Sequence, residues 1–239
     1  MNEYFLPLTG RRKIADGTMA FFFDTRDTNF SFIAGQYATF TLMNPPQTDA
    51  EGNTRDISIA SAPHESREYI MIATRMRGTA FKNNLKTMPL ETRVKVSKPM
   101  GSFTLHTNAA KPAVFIAGGI GITPFRSMVA QATHEKLPHH IYLFYSNRTP
   151  EAAAFLADFE SWQKTNPNFK FIPIFTNAQK EKHTNKLQFV GMSGLEYETE
   201  RMSAAMIKKY VQDPQRAVCY IAGSPAMVSG MLGVASNVF

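Results

Sequence analysis

The sequence has a single cysteine, Cys219, among its 239 residues. One cysteine cannot form an internal disulfide, nor can it supply the several thiolates of an iron–sulfur cluster or a cysteine-rich zinc site. The sequence also lacks any apolar run near the roughly 20 residues that a membrane-spanning helix requires. Its first residues lack the basic-then-apolar order of a secretory signal. We therefore expect a protein of the cytoplasm, a reducing compartment, without a membrane span.

Long runs of one charge are missing too, although the chain is basic overall. Lysines and arginines number 26 against 19 aspartates and glutamates, which gives a formal charge of +7. The excess is spread over both halves, and basic residues are not interleaved with stacking aromatics, so we expect no nucleic acid partner. A mixed, solvated surface is one interpretation; a positive face that attracts an acidic protein is the other. The six histidines have no metal-binding spacing, so no metal site is predicted.

Short alternating apolar runs, separated by turn-forming residues, fill the first 110 residues or so. Many short strands of even spacing predict a closed antiparallel β-barrel. The predicted strands cover residues 19–23, 37–42, 57–60, 69–73, 94–96 and 103–105, with one helix near residues 79–88.

From residue 113 the pattern changes to continuous apolar strands that alternate with helices, which predicts a parallel α/β sheet. The predicted strands cover residues 113–117, 141–145, 169–175 and 217–222. Helices are predicted after Thr123-Pro124, Thr149-Pro150 and Ser224-Pro225, because Thr or Ser can cap a helix whose first position is proline. A further helix is predicted around residues 199–211. We place a barrel domain at residues 1–109 and a nucleotide-binding domain at residues 110–239.

A glycine-rich turn, AGGIGITP at residues 117–124, joins the first parallel strand to its helix. Glycines let the backbone approach a ligand closely, and a helix start offers free N–H groups to a phosphate. The usual dinucleotide fingerprint has a third glycine where Pro124 stands, and such a turn can also be only a tight connection. Arg148 follows the second strand. It either binds a 2′-phosphate, which would favour NADPH over NADH, or lies free in solvent.

The last predicted strand ends in a third turn, AGSP at residues 222–225. All three turns reach the carboxyl edge of the predicted sheet, where parallel sheets bind their ligands. We therefore predict a site for a nicotinamide nucleotide at that edge. The predicted nucleotide-binding residues are Gly118, Gly119, Gly121, Thr123, Pro124, Arg148, Gly223, Ser224, Pro225 and Met227.

The order of barrel, short link and nucleotide sheet resembles the ferredoxin–NADP(+) reductase superfamily. Six segments are similar to motifs of that family and follow one another in the family's order. They are AGQY at residues 34–37, RDISIAS at 55–61, RMRGTAF at 75–81, PMGSF at 99–103, GGIGITP at 118–124 and AGSPAM at 222–227.

The resemblance implies a bound FAD and an NAD(P)H substrate. It implies that Arg55 pairs with the FAD pyrophosphate, and that Ser58, the predicted catalytic residue, lies near the flavin N5 where hydride arrives. A guanidinium can bind phosphate in two-pronged fashion, and a hydroxyl can donate to or accept from a ring nitrogen. The predicted FAD-binding residues are Arg55, Asp56, Ile57, Ser58, Ile59, Thr74, Met76, Gly78, Thr79, Ala80 and Phe81.

The sequence departs from the family at three places. Ile57 stands where an aromatic residue usually stacks on the flavin, and Ala222 where plant-type members have a cysteine. Cys219 falls within a predicted strand and is expected in the core. We expect the section after residue 230 to be shorter than the family's final helix and strand, with Phe239 as a candidate for the terminal aromatic.

We therefore expect an FAD-dependent oxidoreductase that transfers hydride between NAD(P)H and FAD. The electrons would pass to ferredoxin, flavodoxin, another redox protein or a small acceptor. One alternative is the reductase component of a multi-component oxygenase or of a membrane electron-transfer system. The other is a flavin- or nucleotide-binding regulatory protein without turnover.

Overall fold

The computed structural model describes residues 3–177, 186–187 and 195–239. The first half forms β1 (Tyr4–Ala15), β2 (Thr18–Asp24), β3 (Tyr37–Leu42), β4 (Thr54–Ser58), β5 (Tyr69–Arg75) and β6 (Arg93–Val96). These strands make one antiparallel sheet in the order β4-β3-β6-β1-β2-β5. An antiparallel bridge between Ile59 and Ile72 joins the two edge strands, so the sheet closes on itself. The predicted antiparallel barrel is confirmed.

The barrel core follows from the alternation of side chains along the strands. On β3, Ala38, Phe40 and Leu42 are buried while their neighbours are half-exposed, because successive side chains point to opposite faces. The helix α1 (Ala80–Thr87) adds Phe81 and Leu85 to this core.

The strand predictions in the barrel fail at three places. The strand expected at residues 57–60 lies earlier, at Thr54–Ser58. Residues 103–105 form no strand; instead the ring of Phe103 packs against Phe125 and Tyr220 of the second half. The strand β1 was not predicted, because polar residues interrupt its apolar pattern and its pairing with β2 is irregular near Gly10.

The second half has β7 (Ala113–Gly118), β8 (Ile141–Asn147), β9 (Phe169–Phe175), β10 (Lys186–Leu187), β11 (Leu195–Glu196) and β12 (Val218–Ala222). Four of these strands form a parallel sheet in the order β12-β7-β8-β9, while β10 and β11 pair with each other. The predicted parallel α/β sheet is therefore confirmed. The domain boundary between residues 109 and 110 stays a prediction.

Helices cover both faces of this sheet. The helices α2 (Thr123–His134) and α3 (Leu156–Thr165) lie on one face, and α4 (Ala204–Tyr210) and α5 (Pro225–Ala235) on the other. Within the described ranges, every helix falls short of the length and apolarity that crossing a bilayer would need.

The predicted helix starts are only partly right. Ser224 caps α5, since its hydroxyl accepts from the Met227 amide at 3.3 Å. Thr123 is no cap but the first residue of α2, because the preceding turn is already helical, and its hydroxyl donates to the Ile120 carbonyl at 3.2 Å. After Thr149 only a short 3₁₀ turn forms, and α3 begins later, after the left-handed Phe155 (φ 64°).

One hydrophobic core extends from the barrel into the nucleotide-binding half. The nucleotide-binding half contributes large side chains such as Phe115, Phe125 and Met128. The barrel contributes mainly small residues to this core: Ala15, Ala20, Ala34, Ala60 and Ala73. Small side chains let the two halves pack closely, so they are joined by a shared core as well as by the covalent link.

Candidate functional site

Most of the predicted site residues of both halves meet in one cleft between the barrel and the parallel sheet. Its inner part, about 400 Å³, is lined on the barrel side by β4, β5 and α1 and on the sheet side by the two glycine turns. Predicted residues that line it are Arg55, Asp56, Ile57, Ser58, Thr74 and Phe81 from the barrel, and Gly121, Thr123, Pro124 and Gly223 from the sheet.

The strand β4 presents its last residues to this inner part. Its register against β3 pairs Arg55 with Phe40 and Ser58 with Tyr37. Ser58 is half-buried and borders the space that Gly121 and Thr123 border from the other side. A hydroxyl from the barrel therefore faces the nucleotide turn across the cleft.

An anion-binding corner lies beside Ser58, where Arg55 meets the start of α1. The guanidinium of Arg55 lies over the Phe81 ring, 5.3 Å from its centroid. It donates to the Glu51 carboxylate at 2.7 Å and to backbone carbonyls of its own loop, and it lies 3.8 Å from the carboxylate of Asp49. The other oxygen of Asp49 accepts from the Ala80 amide at 2.7 Å. Free amides and the dipole of a helix start favour negative charge, as does a guanidinium. A carboxylate of the chain itself thus occupies the place predicted for a phosphate.

The same corner contains a buried hydroxyl with no partner. Thr79 Oγ1 makes no hydrogen bond with any residue that the structure describes, and Gly78 before it has φ +78°, a left-handed backbone that glycine adopts without strain. The predicted residues Gly78, Thr79 and Ala80 therefore lie together at the start of α1. A buried polar atom without a partner is costly unless a ligand completes it, so the corner fits a bound phosphate group.

The two glycine turns of the sheet touch each other. A Cβ on Gly121 would lie 2.4 Å from the Ala222 carbonyl oxygen, and a Cβ on Gly118 would lie 2.1 Å from the sulfur of Met227. Position 121 therefore requires glycine if the turns are to keep this distance, because the atoms that a Cβ there would meet are backbone atoms, whereas the flexible Met227 side chain can move away from residue 118. Gly119 has φ +54°, again a left-handed backbone.

The outer part of the cleft, about 710 Å³, is strongly basic. It contains the remaining predicted nucleotide-binding residues, Gly118, Gly119, Arg148, Ser224, Pro225 and Met227. It is also lined by Arg75, Arg77 and Lys82 of the barrel, which the sequence analysis missed. None of the residues lining this part in the described ranges is Asp or Glu.

Two of the missed basic residues, Arg75 and Arg77, belong to the segment RMRGTAF, and Lys82 follows that segment directly. Arg75 reaches across the cleft: its Nη2 lies 3.3 Å from where a Cβ on Gly119 would be. Burial and the neighbouring charge of Arg77 lower the pKa of Lys82. The signal in the sequence was the clustering of these three cations within residues 75–82, next to the predicted FAD-binding residues.

Asn147, at the end of β8, is a further missed residue of the outer cleft. It is buried, and neither of its side-chain polar atoms has a hydrogen-bond partner in the part of the chain that the structure describes. A buried amide without partners fits a site that a polar ligand completes.

Some predicted or candidate residues lie away from the cleft. Ile59 is fully buried in the barrel core, and Met76 packs against that core. Phe239 packs against the core on the face of the sheet that α4 and α5 cover, so the structure does not bring it to the cleft as a terminal aromatic. Cys219 lies within β12, and burial raises the pKa of its thiol to about 12, as expected of a core cysteine.

Comparison with known proteins yields a family for the second half and relatives for most of the chain. Residues 115–232 match the oxidoreductase NAD-binding domain. The chain is 26% identical over 159 residues to terephthalate 1,2-dioxygenase reductase component 1 of Comamonas sp., covering 65% of this chain and 45% of that protein. It is 24% identical over 206 residues to reductase component 2, covering 86% and 55%. The chain thus spans about half the length of these relatives.

Among solved structures, the chain resembles a ferredoxin NADP+ reductase from Neisseria gonorrhoeae with bound FAD and NADP. The TM-score is 0.76 at 18% identity, covering all of this chain and 92% of that one. At this identity the structural likeness establishes the fold alone. The match of residues 115–232 to the family model is separate evidence, because it comes from the sequence. Residues 115–232 therefore belong to the oxidoreductase NAD-binding domain family, and the chain as a whole has the fold of the ferredoxin–NADP(+) reductase-like superfamily.

Proposed function

We propose that this chain transfers hydride from NAD(P)H to a bound FAD and passes the electrons on to a separate acceptor. The proposal rests on one observation: Arg55 and Ser58 of β4 face the glycine turns of the parallel sheet across one cleft. Two ligands that must exchange hydride have to meet at one place, and this cleft is lined by residues suited to each.

On the barrel side, Arg55 and the amides at the start of α1 would bind the FAD pyrophosphate. Ser58 would hydrogen-bond the flavin beside the position that receives hydride. A bound FAD would supply the redox chemistry, namely acceptance of a hydride (one proton with two electrons) from NAD(P)H and release of electrons singly or in pairs.

On the sheet side, the glycine turns would let the nucleotide phosphates approach the backbone. Arg75, Arg77, Lys82 and Arg148 surround the outer cleft, so the site favours a ligand with several negative charges. We propose NADPH over NADH, because an extra 2′-phosphate would find a guanidinium at Arg148.

The acceptor is proposed to be an acidic redox protein such as ferredoxin or flavodoxin, attracted by the net positive charge of +7. The second candidate is a reductase component of a multi-component oxygenase. It is favoured by the names of the two Comamonas relatives, which are dioxygenase reductase components. We propose the cytoplasm as the location.

An anaerobic absorbance titration of the FAD-loaded protein with NADPH, and separately with NADH, tests the activity. We expect the flavin band to bleach with either nucleotide, and at lower concentrations with NADPH. A bound flavin that neither nucleotide reduces would refute the activity and favour a regulatory role.

Ser58→Ala tests the role of the barrel hydroxyl in the same assay. We expect hydride transfer to slow about tenfold while FAD remains bound, since one positioned hydrogen bond is lost. Ser102→Ala, at an exposed turn position, is the control. Unchanged transfer in Ser58→Ala would remove Ser58 from the site.

A further inference from the structure

Arg126 of α2 is a buried charge that connects the two halves of the molecule. It is only 6% exposed, yet its guanidinium makes four hydrogen bonds. Two cross to the barrel from Nη1, to the Ala60 carbonyl and to Glu65 Oε2, both at 2.9 Å. Nη2 adds a third to Glu65 Oε1 at 3.2 Å, and Nε binds Asp158 of the nucleotide-binding half at 2.9 Å.

Neighbouring residues on α2 make further bonds to the same barrel segment. Ser127 Oγ donates to the buried Ser61 carbonyl at 2.7 Å, and the Gln131 side-chain oxygen accepts from the His64 amide at 3.1 Å. Residues 60–65 of the barrel are therefore fastened to one helix at three points. We call Arg126, Ser127, Ala60, Ser61 and Glu65 the latch.

The latch lies between the two binding elements of the cleft. Its barrel side begins at Ala60, two residues after Ser58. Its helix side begins at Arg126, two residues after Pro124, which itself lines the cleft. A displacement of α2 relative to residues 60–65 would therefore shift the glycine turn at residues 118–124 by the same distance relative to β4.

Burial of such a charge is not needed for stability alone. An unpaired buried guanidinium would cost several kcal/mol, and a well-paired one is often no more stable than an apolar replacement. The Arg126 guanidinium instead fixes the orientation of its partners, because a planar guanidinium with partners on three sides holds each of them at a fixed angle. Phe155 and Trp162 lie under it, with ring centroids 5.2 and 5.4 Å away.

The ionisation of Glu65 supports a permanent charge pair. Burial would raise the pKa of Glu65, but hydrogen bonds and charge from Arg126 outweigh it, so the pKa lies below its ordinary value. The carboxylate also accepts from the Ala62 amide at 2.6 Å, which fixes it within the barrel.

We infer that the latch sets the distance between the glycine turn at residues 118–124 and the strand β4, and that Arg126 and Glu65 are positioning residues for hydride transfer. This inference rests on the proposed function. An error of about 1 Å in such a distance can cost up to about 100-fold in rate, so small changes here have measurable effects.

Removing, one at a time, the two carboxylates that bind the Arg126 guanidinium distinguishes a positioning role from a contribution to stability. Glu65→Ala removes a carboxylate that crosses between the halves, while Asp158→Ala removes one within the nucleotide-binding half. Each is measured for the rate of flavin reduction at saturating NADPH, for NADPH affinity, and for amide hydrogen exchange at residues 58–61 and 118–122. Ser127→Ala, which removes a crossing bond without touching a charge, is the third variant.

We expect Glu65→Ala to slow flavin reduction at least tenfold with NADPH affinity within twofold of the parent, and to speed exchange in both segments. Ser127→Ala should change the rate in the same direction by less, and Asp158→Ala by under twofold. Equal losses in Glu65→Ala and Asp158→Ala, or no loss in Glu65→Ala, would overturn the inference. If Glu65→Ala does not fold, Ser127→Ala decides in its place.

The proposed function can fail separately. If the FAD-loaded parent is not reduced by either nucleotide, the activity is refuted. The hydrogen-exchange comparison still decides the latch, because it needs no turnover: it requires faster exchange across the cleft in Glu65→Ala and not in Asp158→Ala.

Discussion

The positive charge of the outer cleft comes from individual side chains that belong to different elements. Arg75 belongs to β5, Lys82 to α1 and Arg148 follows β8. The described residues that line the outer cleft include no carboxylate, so these cations lack an acidic partner within that lining. The proposed preference for NADPH over NADH would therefore depend on individual residues.

Arg148→Ala should lower the affinity for NADPH about tenfold, since a hydrogen bond to a charged group contributes about 1.5–3 kcal/mol. NADH, which lacks the 2′-phosphate, should bind as before. Fluorescence titration of both nucleotides checks this. Arg93→Ala, an exposed arginine on β6 of the barrel, is the control, and equal losses for both nucleotides would place the 2′-phosphate elsewhere.

Gly121→Ala should destabilise the protein by about 1–3 kcal/mol, because the new methyl group would meet the Ala222 carbonyl, a backbone atom that cannot move aside cheaply. Urea unfolding measures this. Gly230→Ala is the matched control: it lies in α5 with open space around it, and should stabilise by about 0.5–1 kcal/mol. Similar stabilities of the two variants would contradict the close approach of the turns.

At the scale of elements, the loop between β3 and β4 acts together with α1. Asp49 binds the Ala80 amide, the Gln47 carbonyl accepts from Asn84 at 2.7 Å, and Arg55 contacts both Asp49 and Glu51. The loop is thus fixed to the helix start by its own carboxylate. That carboxylate and an incoming pyrophosphate would compete for the same donors.

Asp49→Asn should therefore tighten FAD binding several-fold, since the competing charge at the helix start is removed, an effect of about 1 kcal/mol. The quenching of FAD fluorescence on titration with FAD-free protein gives the dissociation constant. Asp16→Asn, in an exposed ion pair with Lys13, is expected to change nothing. Weaker FAD binding in Asp49→Asn would mean that the Asp49 cap shapes the site instead of competing for it.

Elements with clean periodicity could be predicted from the sequence. The strand at residues 169–175 has the predicted bounds, because six of its seven residues are buried and only the exposed Lys170 interrupts its apolar run. The start of α3 could not be predicted, since Thr149-Pro150 has the local signal of a helix start. The chain instead becomes extended at Ala153 and left-handed at Phe155 before α3 begins. The side chains of Arg75 and Lys82 could not be assigned to the nucleotide cleft, because their place depends on how the two halves dock.

At the scale of the whole molecule, the latch links acid stability to the contact between the halves. Glu65 has a pKa below its ordinary value of 4.5. A lowered carboxyl pKa contributes stability above the pKa of the unfolded chain, and this contribution is lost as the pH falls through the folded-state value. Acid should therefore weaken the contact between the halves.

Glu65→Gln should lower the melting temperature at pH 7, and the difference from the parent should shrink as the pH falls below about 4.5. Thermal unfolding followed by circular dichroism between pH 7 and pH 3 measures it. Glu200→Gln, at an exposed position, should follow the parent at every pH. A constant difference across the range would show that Glu65 is not charged in the folded protein.

The five alanines that the barrel places in the shared core also constrain how such chains can change over evolutionary time. Each is at most 8% exposed, so a larger side chain on either surface requires a smaller one opposite. Exchanging one half for that of a distant homologue would bring together surfaces that were never fitted to each other. We therefore expect a hybrid to fold stably only when both surfaces of the join come from the same parent.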